Sequence, residues 1–172
     1  MANITVNRIK NLLKEKSHVH LSGTNFSGLD LSGLDFSDST LINSNFSNTK
    51  LENTRFLRAF LPQSNFYGAH LVGANFEEAR LEKANFSYAS LMGAAFSRAD
   101  LRGANFWGAK LAKASLSFAT LESCNLTESD LAHASLFGAN LTNADLTRAA
   151  LAGMSLTRAN LKGVKGYRPP GP

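Results

Sequence analysis

Cut into blocks of five from Ala69, the middle of the chain reads AHLVG, ANFEE, ARLEK, ANFSY, ASLMG, AAFSR, ADLRG, ANFWG. The same frame holds without insertion from Val19 to Gly163, for 29 consecutive blocks. The third residue of each block is its centre. Centres begin Leu21, Phe26, Leu31, Phe36 and end at Leu161, and every one is Leu or Phe. A period of five matches neither the 3.6 of a helix nor the 2 of a strand. A unit this short cannot bury its own apolar residue, so the units must stack into a solenoid with one continuous core. Four blocks make a square turn, one block to a side. Successive turns then lie about 4.8 Å apart as parallel short strands, and the whole array is a rod roughly 35 Å long.

The first position of a block must also point inward, because it is small. It is Ala in most blocks from Ala59 onward, and Ser or Thr in several earlier ones. Each side then holds one large and one small inward side chain, and Leu in place of a central Ala such as Ala84 overpacks it. Buried centres, at roughly 1.5–3 kcal/mol each, are the main stabilising contribution. Every glycine within the array sits at the fifth position. A type II turn that begins at a centre needs positive φ two residues later, at that fifth position. Corners carrying Glu78, Lys83 or Arg98 are expected to use another turn geometry. The second position on one side runs Asn25, Asn45, Asn65, Asn85, Asn105, Asn125, Asp145, a register in which amides can hydrogen-bond up the rod. Centres alternate Leu and Phe through Phe106, so two opposite sides carry Phe and two carry Leu. From Leu111 on, every centre is leucine.

Blocks such as Ala99-Asp100-Leu101-Arg102-Gly103 and Ala139-Asn140-Leu141-Thr142-Asn143 carry the pattern A-(D/N)-L-X-X. The chain thus resembles the pentapeptide repeat family from Val19 to Gly163. The resemblance implies an all-β fold, a right-handed quadrilateral parallel β-helix of about seven coils. Leu29, Leu34, Cys124 and Met154 depart from the small first position, and local bulges or looser coils are expected there, above all near the ends.

Residues 1–18 are read as a capping helix and connector, residues 19–163 as the array, and residues 164–172 as an extended tail. From Thr5 to about Lys16, Val6, Ile9, Leu12 and Leu13 fall on one helical face, with Thr5 the candidate N-cap. Lys14 and Lys16 suit the helix C-terminus. So short a helix must dock to persist. The mouth of the first coil is the obvious surface, where the helix would cover Leu21 and Phe26 and block edge-to-edge strand addition. At the other end VKGYRPPGP stops the coil. No helix follows the last ring of Leu151, Leu156 and Leu161. Either Val164 and Tyr167 fold over it or a second copy does. Leu151, Leu156, Leu161 and Tyr167 are therefore candidate end-to-end contacts, and the chain is read as a monomer or a C-terminal end-to-end homodimer.

The 18 Lys and Arg against 13 Asp and Glu leave a formal charge of +5, too little alone to argue for nucleic acid. The one cysteine, Cys124, excludes an internal disulfide and suits a reducing compartment. With no signal-peptide core and no apolar membrane span, the expectation is a cytoplasmic protein with no membrane partner. Four histidines offer no shared metal site: His18 and His20 lie at the first coil, and His70 and His133 are about three coils, roughly 14 Å, apart. Single glycines at fixed period make no phosphate-cradling loop. A narrow filled coil has no concave pocket, so no catalytic, cofactor-binding or metal-binding residue is assigned and the chain is read as a non-enzyme.

Function must then reside on the outer surface. The candidate partner-binding surface is a corner that stacks Tyr67, His70 and Val72 over Tyr88 and Met92, then Trp107, Lys110 and Lys113. The opposite corner carries Leu57, Arg58 and Phe60, then Glu77, Glu78, Arg80 and Glu82, then Arg98, Asp100 and Arg102, and lastly Phe118 and Phe137. Its signs alternate between turns, as cross-strand charge pairing would arrange them. The favoured function is a non-enzymatic protein-interaction or regulatory scaffold. Members of the family that mimic duplex DNA and bind DNA gyrase or topoisomerase supply the alternative. It is disfavoured by the net positive charge and by the lack of an acidic column. Direct nucleic-acid binding through Lys110, Lys113 and Arg148 beside Tyr88 and Trp107 ranks below both, because the basic residues are scattered.

Overall fold

The computed structural model describes residues 4–15 and 18–168. Each second-position residue pairs in parallel with the residue 20 further on, from His20 with Thr40 to Asp145 with Lys165. The result is a right-handed quadrilateral β-helix with one bridged residue per side of each coil. We number the sides in chain order by their bridged residues. The first carries Phe60, Arg80 and Asp100, the second the Asn25–Asn125 column, the third His70, Ser90 and Lys110, the fourth Arg55, Asn75 and Ala95.

Three backbone hydrogen bonds join each side to the coil below or above it. The amides of the third and fifth positions donate downward, as Leu21 N–H to Thr40 O (2.9 Å) and Gly23 N–H to Ile42 O (2.8 Å). The second-position amide donates upward, as Thr40 N–H to Val19 O (2.9 Å). A fourth bond closes the corner, from the next block's first amide back to the centre's carbonyl, as Thr24 to Leu21. This last bond recurs after every centre. Every fifth position also has positive φ, glycine or not, while no fourth position does. Those two features define a type II turn. The expectation of another geometry at Glu78, Lys83 and Arg98 is therefore corrected: their φ values are 58°, 58° and 61°. The inter-coil bonds made by both flanking residues hold the corner in one conformation and offset the side chain's steric cost.

The expected bulges are also absent. The register of 20 is kept through Leu29, Leu34, Cys124 and Met154. Cys124 fits the inward site, and its Sγ donates to Leu101 O (2.8 Å). Leu29, Leu34 and Met154 lie in the outermost coils and stay half-buried. A larger side chain there meets no further coil.

Inside, the Phe centres stack face to face down the second and fourth sides at 4.6–5.4 Å. They meet edge-on across the coil, as Phe66 and Phe76 do at 5.6 Å and 85°. The small first positions fill the remaining space, and where they carry a buried hydroxyl it is satisfied. Thr49 and Ser64 donate to Phe26 O (2.9 Å) and Leu41 O (2.8 Å) one coil up. The Asp or Asn of the motif has its own task. Its side-chain oxygen accepts the fourth-position amide two residues on, as Asn105 does from Trp107 (3.1 Å). That amide has no backbone partner in the coil pattern, so the side chain caps the corner.

Helix α1 (Val6–Glu15) plugs the first coil. Ile9 is wholly buried, with Val6, Leu12 and Leu13 half-buried beside it. The Thr5 hydroxyl accepts the Arg8 amide (3.3 Å), which is the expected N-cap. Beneath it Phe26 is fully covered and Leu21 partly so. Lys16 and the tail beyond Arg168 lie outside the described residues. At the far end Val164 and Tyr167 pack against the core, yet Leu151, Leu156 and Leu161 keep part of their surface exposed. The frame stops because Gly166 takes the place of the next centre and lies against the Leu146–Thr147 backbone, where a Cβ would collide.

Candidate partner-binding wall

The outward positions of the third side and its two flanking corners hold the sequence-predicted surface. The residues do not share one corner, as the sequence reading had it. Tyr67, Tyr88 and Trp107 line the corner between the second and third sides. His70 and Lys110 stand exposed on the flat of the side. Val72, Met92 and Lys113 line the next corner. The surface is thus a wall with an aromatic edge and an aliphatic edge.

The aromatic edge is a contact ladder. Tyr67 and Tyr88 meet edge to face at 5.8 Å, and Tyr88 and Trp107 at 4.9 Å. One glycine makes room for the ladder. A Cβ on Gly108 would come within 2.8 Å of the Tyr88 ring, so the ring lies where a side chain would otherwise stand. Tyr67 and Trp107 occupy fourth positions, one coil to either side of the fifth-position Tyr88, with glycine beside each. Among the described residues, five large apolar side chains are exposed: Tyr67 (44%), Tyr88 (47%), Met92 (49%), Trp107 (39%) and Phe118 (53%). Four of the five frame this wall. Between Glu52 and Glu128 its outward positions carry no acid, and Lys110 and Lys113 carry positive charge. At the wall's upper end His70 Nδ1 lies 4.0 Å from Glu52.

The first side is its opposite in character. Arg80 lies over the Phe60 ring at 4.8 Å and reaches Glu82 at 3.3 Å. Arg102 joins Glu82 (3.6 Å) to Asp100. Above them Arg58 grips Asp38 with two bonds, 2.7 and 2.8 Å. Those bonds hold the Asp38 carboxyl below the usual carboxylate range. Burial pushes Asp100 upward, but the bonds from Arg102 outweigh it and leave the carboxyl lowered. The alternation has a simple rule that single blocks do not reveal. Within the coils, any two of Asp, Glu, Lys and Arg that stand 20 residues apart are opposite in sign, as in Asp30 and Lys50, Arg80 and Asp100, and Glu128 and Arg148. Like charges in that position would repel at strand spacing.

The remaining chemistry is structural. Burial pushes the Cys124 thiol up to about 12, which leaves no thiolate to react. His133 lies over Gly153, three coils from His70. Among the described residues no group of three potential ligands could hold a metal. No helix there is long and apolar enough to cross a membrane. The Asn column forms a real ladder, Asn45 to Asn25 at 3.0 Å and Asn125 to Asn105 at 3.0 Å. Between Asn85 and Asn105 the rung is replaced, because the Ser87 hydroxyl takes the Asn85 oxygen at 2.7 Å.

Family models place this architecture among known proteins. Residues 17–86 match a pentapeptide repeat region, and residues 89–127 and 124–163 match pentapeptide repeats in eight copies. The chain belongs to the pentapeptide repeat family. Among solved structures, QnrB1, a plasmid-mediated fluoroquinolone resistance protein, is 23% identical and superposes with a TM-score of 0.67, over 86% of this chain and 83% of its own. That likeness is one of fold. A pentapeptide repeat protein from the Arabidopsis thaliana thylakoid lumen is 32% identical over 72% of this chain and 68% of its own, with a TM-score of 0.46. HetL, a pentapeptide repeat protein involved in heterocyst differentiation regulation in the cyanobacterium Nostoc, is 26% identical over 94% and 96%, with a TM-score of 0.33. A search of curated proteins finds no match.

Proposed function

We propose that the chain is a non-enzymatic scaffold that binds a partner protein along its third side. The carrying observation is the exposed Tyr67–Tyr88–Trp107 ladder facing Val72 and Met92 across a strip free of acids. Interface centres are enriched in Tyr, Trp and Met and depleted in Asp and Glu, and their energy concentrates in a few aromatic anchors. Adjacent coils hold these rings in register, so little side-chain freedom is lost when a partner docks. The first side, whose charges already satisfy one another, offers a partner less. The same reading has the protein act in the cytoplasm, without cofactor or membrane.

Pull-down with the wild-type rod against a Tyr67→Ala, Trp107→Ala double variant tests it. Loss of a specific partner from the variant is expected, and an identical bound set overturns the choice of wall. The rival reading, a duplex-DNA mimic that acts on gyrase, needs a column of acids at phosphate-like spacing. Columns that alternate in sign do not supply one. A gyrase supercoiling assay unaffected by micromolar protein is the expected result.

A further inference from the structure

We propose that the C-terminal end of the rod is a second docking surface, for an acidic extended segment of a heterologous partner protein. Three independent features converge there. The first is backbone polarity. Because third- and fifth-position amides donate toward the C-terminus, the last edge is left with donors. Among the described residues the amides of Arg148, Leu151, Gly153, Leu156, Arg158, Leu161 and Gly163 have no acceptor. Three of the four sides of that edge expose two N–H groups for every first-position carbonyl. The N-terminal edge has the reverse excess, and α1 lies over its mouth.

The second feature is charge. From Leu146 to Arg168 the chain has five cations and no acid. Arg148 is paired with Glu128 (3.0 Å), and Lys165 stands one coil below Asp145. Arg158, Lys162 and Arg168 have no acid one coil above them. Arg158 rests instead over the Phe137 ring at 5.6 Å. This end therefore carries the whole excess that makes the protein basic. The third feature is the apolar ring itself. Leu151, Met154, Leu156 and Leu161 remain partly exposed, whereas the centres from Phe26 through Leu146 are buried.

These features select the occupant. A second copy placed end to end would set donors against donors and cations against cations. A copy stacked head to tail would meet α1 rather than a bare edge. An extended acidic segment instead brings carbonyls and carboxylates to the amides and cations, and alternate apolar side chains to the leucine ring.

Fluorescence anisotropy with two short labelled peptides, one alternating glutamate with valine and one glutamine with valine, tests this on the full chain. The glutamate peptide is expected to bind, and roughly tenfold or more weaker binding is expected for the glutamine peptide and for an Arg158→Glu, Lys162→Glu variant. Both substitutions are exposed and leave the core intact. Lys83→Glu, on a distant corner, is expected to change nothing. Equal binding of the two peptides, or equal weakening by Lys83→Glu, overturns the proposal. So does a dimer in light scattering that Leu156→Lys dissolves, or capture by phosphatidylglycerol vesicles with no binding of the peptide.

Discussion

The first and third sides hang on one core and have the same backbone, turn for turn, yet their outward side chains are satisfied in different ways. On the first side, Phe60, Arg80, Glu82, Arg102 and Asp100 use one another. On the third, Tyr67, Tyr88 and Trp107 touch one another but keep about two fifths or more of their surface in water. In this fold the inward positions determine the architecture, and the outward ones are free to be either self-paired or vacant for a partner. Apolar surface left in water at ordered positions has no architectural cause, and that makes the third side the one to read as functional.

Breaking the shared core should damage both walls together and produce the largest effect. Phe86→Ala removes a ring stacked between Phe66 and Phe106, and a loss of about 3–5 kcal/mol is expected in denaturant unfolding. A loss confined to one wall would mean that the core is not cooperative. Ala84→Leu, at a wholly buried first position, should cost about 1–3 kcal/mol by overpacking. Retention of wild-type stability would show an unfilled interior.

A smaller and sharper test separates the aromatic edge from the backbone beneath it. Gly108→Ala and Gly93→Ala impose a side chain at similar φ, +63° and +66°, and each should cost about 1 kcal/mol. Only at Gly108 does the new Cβ meet a ring, while at Gly93 nothing lies within 4 Å. Emission from Trp107, the one tryptophan, should therefore shift in the first variant and stay constant in the second. Equal spectra would mean that Tyr88 does not rest on Gly108.

The smallest effect falls on the charged side. Arg102→Ala should lower stability less than either core variant and leave partner capture unchanged, because the pairs are exposed. Acid should act in the same place. Asp38 and Asp100 are held below their usual value of 3.8. They contribute stability that is present above that value and lost as pH falls through their lower folded values. The melting temperature should thus decline below about pH 4, while Trp107 emission, on a wall that holds neither Asp38 nor Asp100, stays flat. A parallel shift in both would show that the two sides are coupled.

Much of this was legible in the residues. The unbroken run of Leu and Phe centres gives the period, the small first positions give a second inward column, and glycines confined to the fifth position mark the corners. The aromatic residues were legible as a set, but not their arrangement. That Tyr88 lies over Gly108 depends on which way a fifth-position side chain leans, whereas the set spans a whole side because Tyr67, Tyr88 and Trp107 belong to second-side blocks and Val72 and Met92 to third-side blocks. Glu78, Lys83 and Arg98 were misread because residue preference is weighed one corner at a time. In the rod each corner is clamped by bonds to the coils on both sides, and the clamp outweighs the preference. At Leu29, Leu34 and Met154 the expected bulge is absent but the looser burial is present, because at the ends of the stack a ring is confined on one face only.

The amino-acid order by itself determined the coil, its square section and the inward-facing residues, because these follow from a five-residue pattern that each block carries. The tertiary structure alone decided which neighbours 20 residues apart make contact: the ion pairs, the aromatic ladder, the replaced rung at Ser87 and the donor-rich last edge. Those depend on contacts between coils, and no single block contains them.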